Sequence, residues 1–177
     1  MASNENENKS ANTSGPTEIQ SWDDTPLIRD NVLRGIYAIG FEQPSPIQKK
    51  GIIPMIRTNK DGKRRDIIAQ AQSGTGKTGC FSVGVLNIVN PENNYTQALV
   101  LAPTHELAGQ IRDVITDLGR FDNIVTQLLV GGTSVDGDRE KLDNNPPHII
   151  VGTPGRVHDM IRRKYLKTEK IQVIVLD

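Results

Sequence analysis

Asp-Ile-Ile-Ala-Gln-Ala-Gln-Ser-Gly-Thr-Gly-Lys-Thr, residues 66–78, is the stretch on which the fold depends. A short apolar run with β-branched residues leads into a Gly-rich turn and then a helix-forming segment, the strand, loop and helix order of a phosphate-binding loop. Backbone N–H groups of Ser73, Gly74, Thr75 and Gly76 can point inward together, and the following helix adds the positive end of its dipole. Lys77 is placed to reach β- and γ-phosphates as a point charge, and the Thr78 hydroxyl to ligate Mg²⁺. Such loops usually open with Gly; Ala71 stands there instead and needs only ordinary backbone angles. Ala71, Gln72 and the six residues after them are thus the candidate nucleotide-binding segment. The competing reading is a chance Gly/Ser/Thr turn ahead of a lysine.

Downstream, the helix from Lys77 carries Phe81, Val85, Leu86 and Val89 inward and ends near Asn90-Pro91. Ala98-Leu-Val-Leu-Ala102 is a continuous apolar run, as in a strand covered on both faces. A helix follows from Thr104, with Leu107, Ile111, Val114, Ile115 and Leu118 as its buried stripe and Gly119 as its stop. Further strands are expected at residues 127–130, 148–151 and 173–176, with a short helix over 138–142 and another over 153–163. This β, α alternation predicts an α/β fold: a mostly parallel sheet with helices on both faces and ligands at the carboxyl ends of the strands.

Upstream, Thr25-Pro26 supplies an N-cap and a first-turn proline for a helix carrying Leu27, Ile28, Val32, Leu33 and Ile36 on one face. The same pair recurs at Ser45-Pro46 and Thr153-Pro154. Gly40 breaks the first helix, and the second runs toward Ile56, with Gln48 early on it. On residue chemistry alone, Trp22 and Phe41 are core or lid aromatics and Gln48 is an exposed helix residue. Residues 57–65 form a basic connection with an Asp61-Gly62 turn, read as a solvated surface loop or a contact for RNA or a partner. Residues 1–20 are poor in large apolar side chains, which predicts a flexible tail, either a plain leader or a binding arm.

The 177 residues suit one domain, and 21 basic against 21 acidic side chains leave no net charge, so any nucleic-acid contact must come from a local surface. One cysteine, Cys80, excludes an internal disulfide and suggests a reducing compartment. No apolar run reaches the roughly 18–20 residues of a membrane span, and the N-terminus lacks a signal-like core, so a soluble intracellular protein is expected.

Several segments together resemble the DEAD-box RNA helicases, and within them the eukaryotic translation initiation factor four-A group. They are Gly40-Phe41 through Pro46-Ile47-Gln48 (with Trp22, the Q motif, 22–48), Ala71-Gln-Ser-Gly-Thr-Gly-Lys-Thr78 (motif I), Pro103-Thr-His-Glu-Leu-Ala108 (motif Ia), Gly131-Gly132, Thr153-Pro-Gly-Arg156 (motif Ib) and Val175-Leu-Asp177, the opening of motif II. The resemblance implies that residues 21–177 are a partial N-terminal RecA-like ATP-binding domain. It implies that Gln48 hydrogen-bonds the adenine edge, a sound bidentate use of an amide, while Phe41 and Trp22 pack about the base. It assigns ATP and Mg²⁺ as cofactors, with Lys77, Thr78 and Asp177 catalytic and Thr78 and Asp177 on the metal. Pro103, Thr104, His105, Gly131, Gly132, Thr153, Pro154, Gly155 and Arg156 would face single-stranded RNA through phosphates and sugars, which positions a strand without reading its sequence.

His105 stands where the family has arginine, which implies weaker RNA binding with a shallower salt dependence, or a neutral structural swap. The chain stops before the Glu of motif II, the strand that in this fold inserts between the Walker A and Walker B strands, and the second RecA-like domain. Little turnover and marginal folding are therefore expected of the isolated chain. The resemblance suggests cytoplasmic translation initiation with scaffold proteins as partners, the nucleus being the alternative location. Two other readings stand beside it: a short non-catalytic RNA- or partner-binding module, and an unrelated P-loop kinase or GTPase. The lack of a guanine-specific motif argues against the latter.

Overall fold

The computed structural model describes residues 17–177. The sheet is four-stranded and wholly parallel, in the order β2-β3-β1-β4, with β1 at Ala98–Leu101, β2 at Thr126–Leu129, β3 at Ile149–Gly152 and β4 at Val173–Leu176. The helices are α1 (Asp30–Ala38), α2 (Pro46–Ile56), α3 (Lys77–Ile88), α4 (His105–Leu118), α5 (Val135–Asn144) and α6 (Pro154–Arg162).

Successive strand residues point to opposite faces, and the apolar runs of β1 and β3 feed two cores. Ala98, Val100, Ile149 and Val151 join the larger one, with side chains of α1, α2, α3 and α4. Leu99 and Ile150 join the smaller one, with Leu142 of α5 and Val157 and Met160 of α6. Both faces are covered, as the apolar runs predicted. Each fully buried Ile, Leu or Val contributes roughly 1.5–3 kcal/mol.

The N-terminal helices lock onto this frame by close approach and by charge. A Cβ added at Gly35 of α1 would lie 1.8 Å from the carbonyl oxygen of Leu118 in α4, so only glycine lets the two helices cross there. Arg29 donates from Nη2 to the Leu86 carbonyl (2.6 Å) and to Asp122 (2.8 Å), and Asn31 also donates to Asp122 (3.0 Å).

Four sequence expectations change. The first helix starts at Asp30, not Pro26: Thr25 Oγ1 accepts from the Leu27 amide at 3.2 Å, a local turn that competes with a helical start, after a 3₁₀ turn at Trp22–Asp24. The short helix over 138–142 is the longer α5, because Ser134 accepts from the Gly137 amide and caps it earlier. The tail expectation runs too far: Ile19 is fully buried and its amide donates to the Lys49 carbonyl at 3.0 Å, while residues 1–16 lie outside the described ones. Residues 66–70, expected as the strand entering the phosphate loop, join no ladder. A strand exists only with a partner to accept its backbone bonds, and none lies beside this segment among the described residues. Ile68 is fully exposed, and Ile174 and Leu176 on the outer strand β4 are exposed too.

Candidate functional site

The register brings the candidate loops together. Leu101, Leu129, Gly152 and Leu176 close their strands in one row, and the backbone bonds continue one step beyond it. Thr153 donates to Leu129, Ala102 to Gly152 and Asp177 to Leu101, each at 3.0 Å. Pro103 and Thr104, Gly131 and Gly132, Thr153 through Arg156, and Asp177 therefore all leave the carboxyl end of the sheet.

The phosphate loop folds in on itself. Lys77 Nζ donates to the Ala71 carbonyl (2.9 Å) and Thr75 Oγ1 to the Gln72 carbonyl (2.7 Å), which curls the backbone around the turn. Gly76 caps α3 at φ 95°, a left-handed conformation, and a Cβ there would sit 2.8 Å from both Gln48 Nε2 and Ser45 Oγ. The Gln48 amide is therefore built against this loop. Nε2 donates to the Gly76 carbonyl (3.2 Å), and Oε1 accepts from the Ser45 amide (2.7 Å) at the start of α2. Gln48 is 4% exposed, not the open helix residue that its surroundings in sequence suggest. One N–H and one lone pair of the amide remain for a ligand. Phe41 also reaches the first turn of α3, 3.0 Å from where a Cβ on Gly79 would be. Trp22 is fully buried in the larger core and as placed offers no face to a base.

Thr78 follows Lys77 in the first turn of α3, and Asp177 follows β4. One hydroxyl and one carboxylate fit Mg²⁺, which keeps several waters and shares substrate phosphates in place of a protein cage. Cys80, two residues on, is buried, and desolvation pushes its thiol up to about 11, so it stays protonated as a small core residue.

The RNA-candidate loops touch each other. Thr104 Oγ1 accepts from the Leu107 amide (3.2 Å) and caps α4, and the His105 ring lies over Gly131, 3.2 Å from a Cβ built there. The Arg156 side chain is engaged within the protein. Its guanidinium donates to the Asp138 carboxylate, to Thr133 Oγ1 (2.8 Å) and to the Thr133 carbonyl (2.8 Å), with only 9% of its side chain exposed and 6% of that of Asp138. It ties the loop after β2 to α5 and α6. Asp138 and Thr133 are the partners that the sequence reading missed. An aspartate in the first turn of a helix reads as complementing the dipole, and nothing in its spacing points to an arginine eighteen residues on.

A parallel sheet with a phosphate loop at the N-terminus of α3 and further loops gathered at the strands' carboxyl ends defines a RecA-like nucleotide-binding α/β domain. Residues 45–177 match the family model of the DEAD/DEAH box helicases. Similar curated proteins include the ATP-dependent RNA helicase eIF4A of Chaetomium globosum, 52% identical over 159 residues, and the ATP-dependent RNA helicase FAL1 of Mycosarcoma maydis, 51% identical over 150 residues. These matches cover 90% and 85% of this chain but 38% and 36% of the relatives, so the chain spans little more than a third of their length. Among solved structures, Saccharomyces cerevisiae Dbp5 bound to RNA and ADP BeF3 superposes with a TM-score of 0.78 at 42% identity, covering 90% of this chain and 38% of that one. A DEAD box protein from Methanococcus jannaschii gives 0.81 at 34% identity, covering 90% and 42%. The chain belongs to the DEAD/DEAH box helicase family.

Proposed function

We propose that this domain binds ATP with Mg²⁺ and single-stranded RNA as the N-terminal part of an ATP-dependent RNA helicase that opens RNA structure, in cytoplasmic translation initiation with scaffold proteins as partners. The observation that carries the reading is the joining of Gln48 and Phe41 to the phosphate loop at one end of a sheet whose other loops present glycines and helix starts. ATP enters with its phosphates on the free N–H groups at the start of α3, and Lys77 exchanges the Ala71 carbonyl for a phosphate oxygen. Gln48 holds the adenine edge through the remaining capacity of its amide, and Phe41 flanks it. Thr78 and Asp177 hold Mg²⁺, which supplies charge neutralisation at the β- and γ-phosphates. Trp22 belongs to the core against which Phe41 packs. Pro103, Thr104, His105, Gly131, Gly132, Thr153, Pro154 and Gly155 meet the RNA backbone, and Arg156 holds their loops in place.

Titration with fluorescent ATP and GTP analogues tests this. ATP is expected to bind better, and Gln48→Ala to erode that preference by roughly 1–3 kcal/mol, the usual value of a bidentate base contact. Equal affinities for the two nucleotides in the unmodified protein would remove adenine recognition from the proposal.

A further inference from the structure

The opposite side of the sheet ends in a strand edge that the nucleotide and RNA loops do not use. Val125 O accepts from the His148 and Ile149 amides, and Leu129 O from Thr153, so the odd-numbered residues of β2 face β3. The backbone groups of Thr126 and Leu128 therefore point outward, and neither residue's N–H or C=O finds a partner among the described residues. The next outward carbonyl, of Val130, is already taken by Thr133 Oγ1 at 3.0 Å. This bare edge forms the floor of a groove of about 500 Å³ walled by Arg112 of α4 and by Gly137, Asp138 and Lys141 of α5.

The groove is positive. Arg156 neutralises Asp138, the Lys141 ammonium has no partner among the described residues, and the Arg112 guanidinium pairs only with the exposed Asp113, at 2.9 Å. We propose that this groove takes an extended acidic peptide segment of a partner protein, which adds a strand to β2 through Thr126 and Leu128 and sets its carboxylates against Lys141 and Arg112. Unpaired strand edges recognise peptide backbones in this way, with side chains at the walls setting the choice of partner. A single-stranded nucleic acid would need stacking platforms, and no aromatic residue lines the groove.

The test is fluorescence anisotropy with a fluorescein-labelled Asp-Val-Glu-Val-Asp-Val-Glu peptide, its Lys/Arg counterpart, and labelled decauridylate. The acidic peptide is expected to bind saturably and more weakly as salt rises, and to shift the NMR amide signals of Thr126 and Leu128. Lys141→Glu should weaken it at least tenfold. Thr126→Pro, which removes one outward N–H, should abolish it while leaving ATP affinity unchanged. If Thr126→Pro does not fold, the exposed Lys141→Glu carries the test. Absence of saturable binding, equal binding of the basic peptide, indifference to Lys141→Glu, or loss of decauridylate binding in place of peptide binding would each overturn the assignment.

Discussion

Arg156→Met would separate a positioning role for this side chain from a direct RNA contact. The substitution keeps most of the side-chain stem but leaves Asp138, 6% exposed, as a buried carboxylate without its counter-charge, and it strips Thr133 of two donors. Breaking a buried pair from one side costs about 3–5 kcal/mol. With a urea m-value of about 1–3 kcal/mol/M, that lowers the unfolding midpoint by roughly 1–5 M. Adding Asp138→Leu to Arg156→Met should recover most of the loss, because two apolar side chains replace a desolvated pair. The salt dependence of oligouridylate binding gives a second readout. If Arg156 only positions the loop, the slope of log K against log salt stays put; a direct phosphate contact would take about 0.7 from it. A midpoint within about 0.3 M of the unmodified protein, or a double variant no better than the single one, would refute the clamp.

His148 is buried at the start of β3, with Nδ1 accepting from the Val125 amide (2.8 Å) and Nε2 facing the Pro91 carbonyl (3.1 Å). Desolvation pulls its pKa below the ordinary value near 6.5, against the opposing pull of the Pro91 carbonyl. The unfolded chain therefore binds the proton more readily, so stability is complete above pH 6.5 and is lost as pH falls from there toward the folded-state value. Urea midpoints between pH 7.5 and 5.5 should decline, and the decline should be absent in His148→Gln. Gly35→Ala places a Cβ 1.8 Å from a backbone oxygen and forces α1 away from α4; a loss of about 1–3 kcal/mol or more is expected in thermal unfolding, and a neutral effect would mean that the helices slide freely. His105→Arg is expected to tighten RNA binding and steepen its salt dependence by about one phosphate contact; an unchanged slope would leave His105 with only its contact to Gly131.

The sequence by itself determined the parallel sheet and its two helical layers. Continuous apolar runs such as 98–101 and 149–152 can be satisfied only when both faces are covered, and local chemistry placed α2, α3, α4 and α6 through Ser45, Gly76, Thr104 and Thr153. It also marked the phosphate loop, whose residues are contiguous. What lay beyond it were relations between distant segments. Gln48 becomes a buried partner of Gly76 only once α2 packs on α3. Arg156 turns away from the surface because α5 presents Asp138 to it. Residues 66–70 have the composition of a strand, but strand formation requires hydrogen bonds from a neighbouring chain segment, and only the tertiary structure decides whether that neighbour is there.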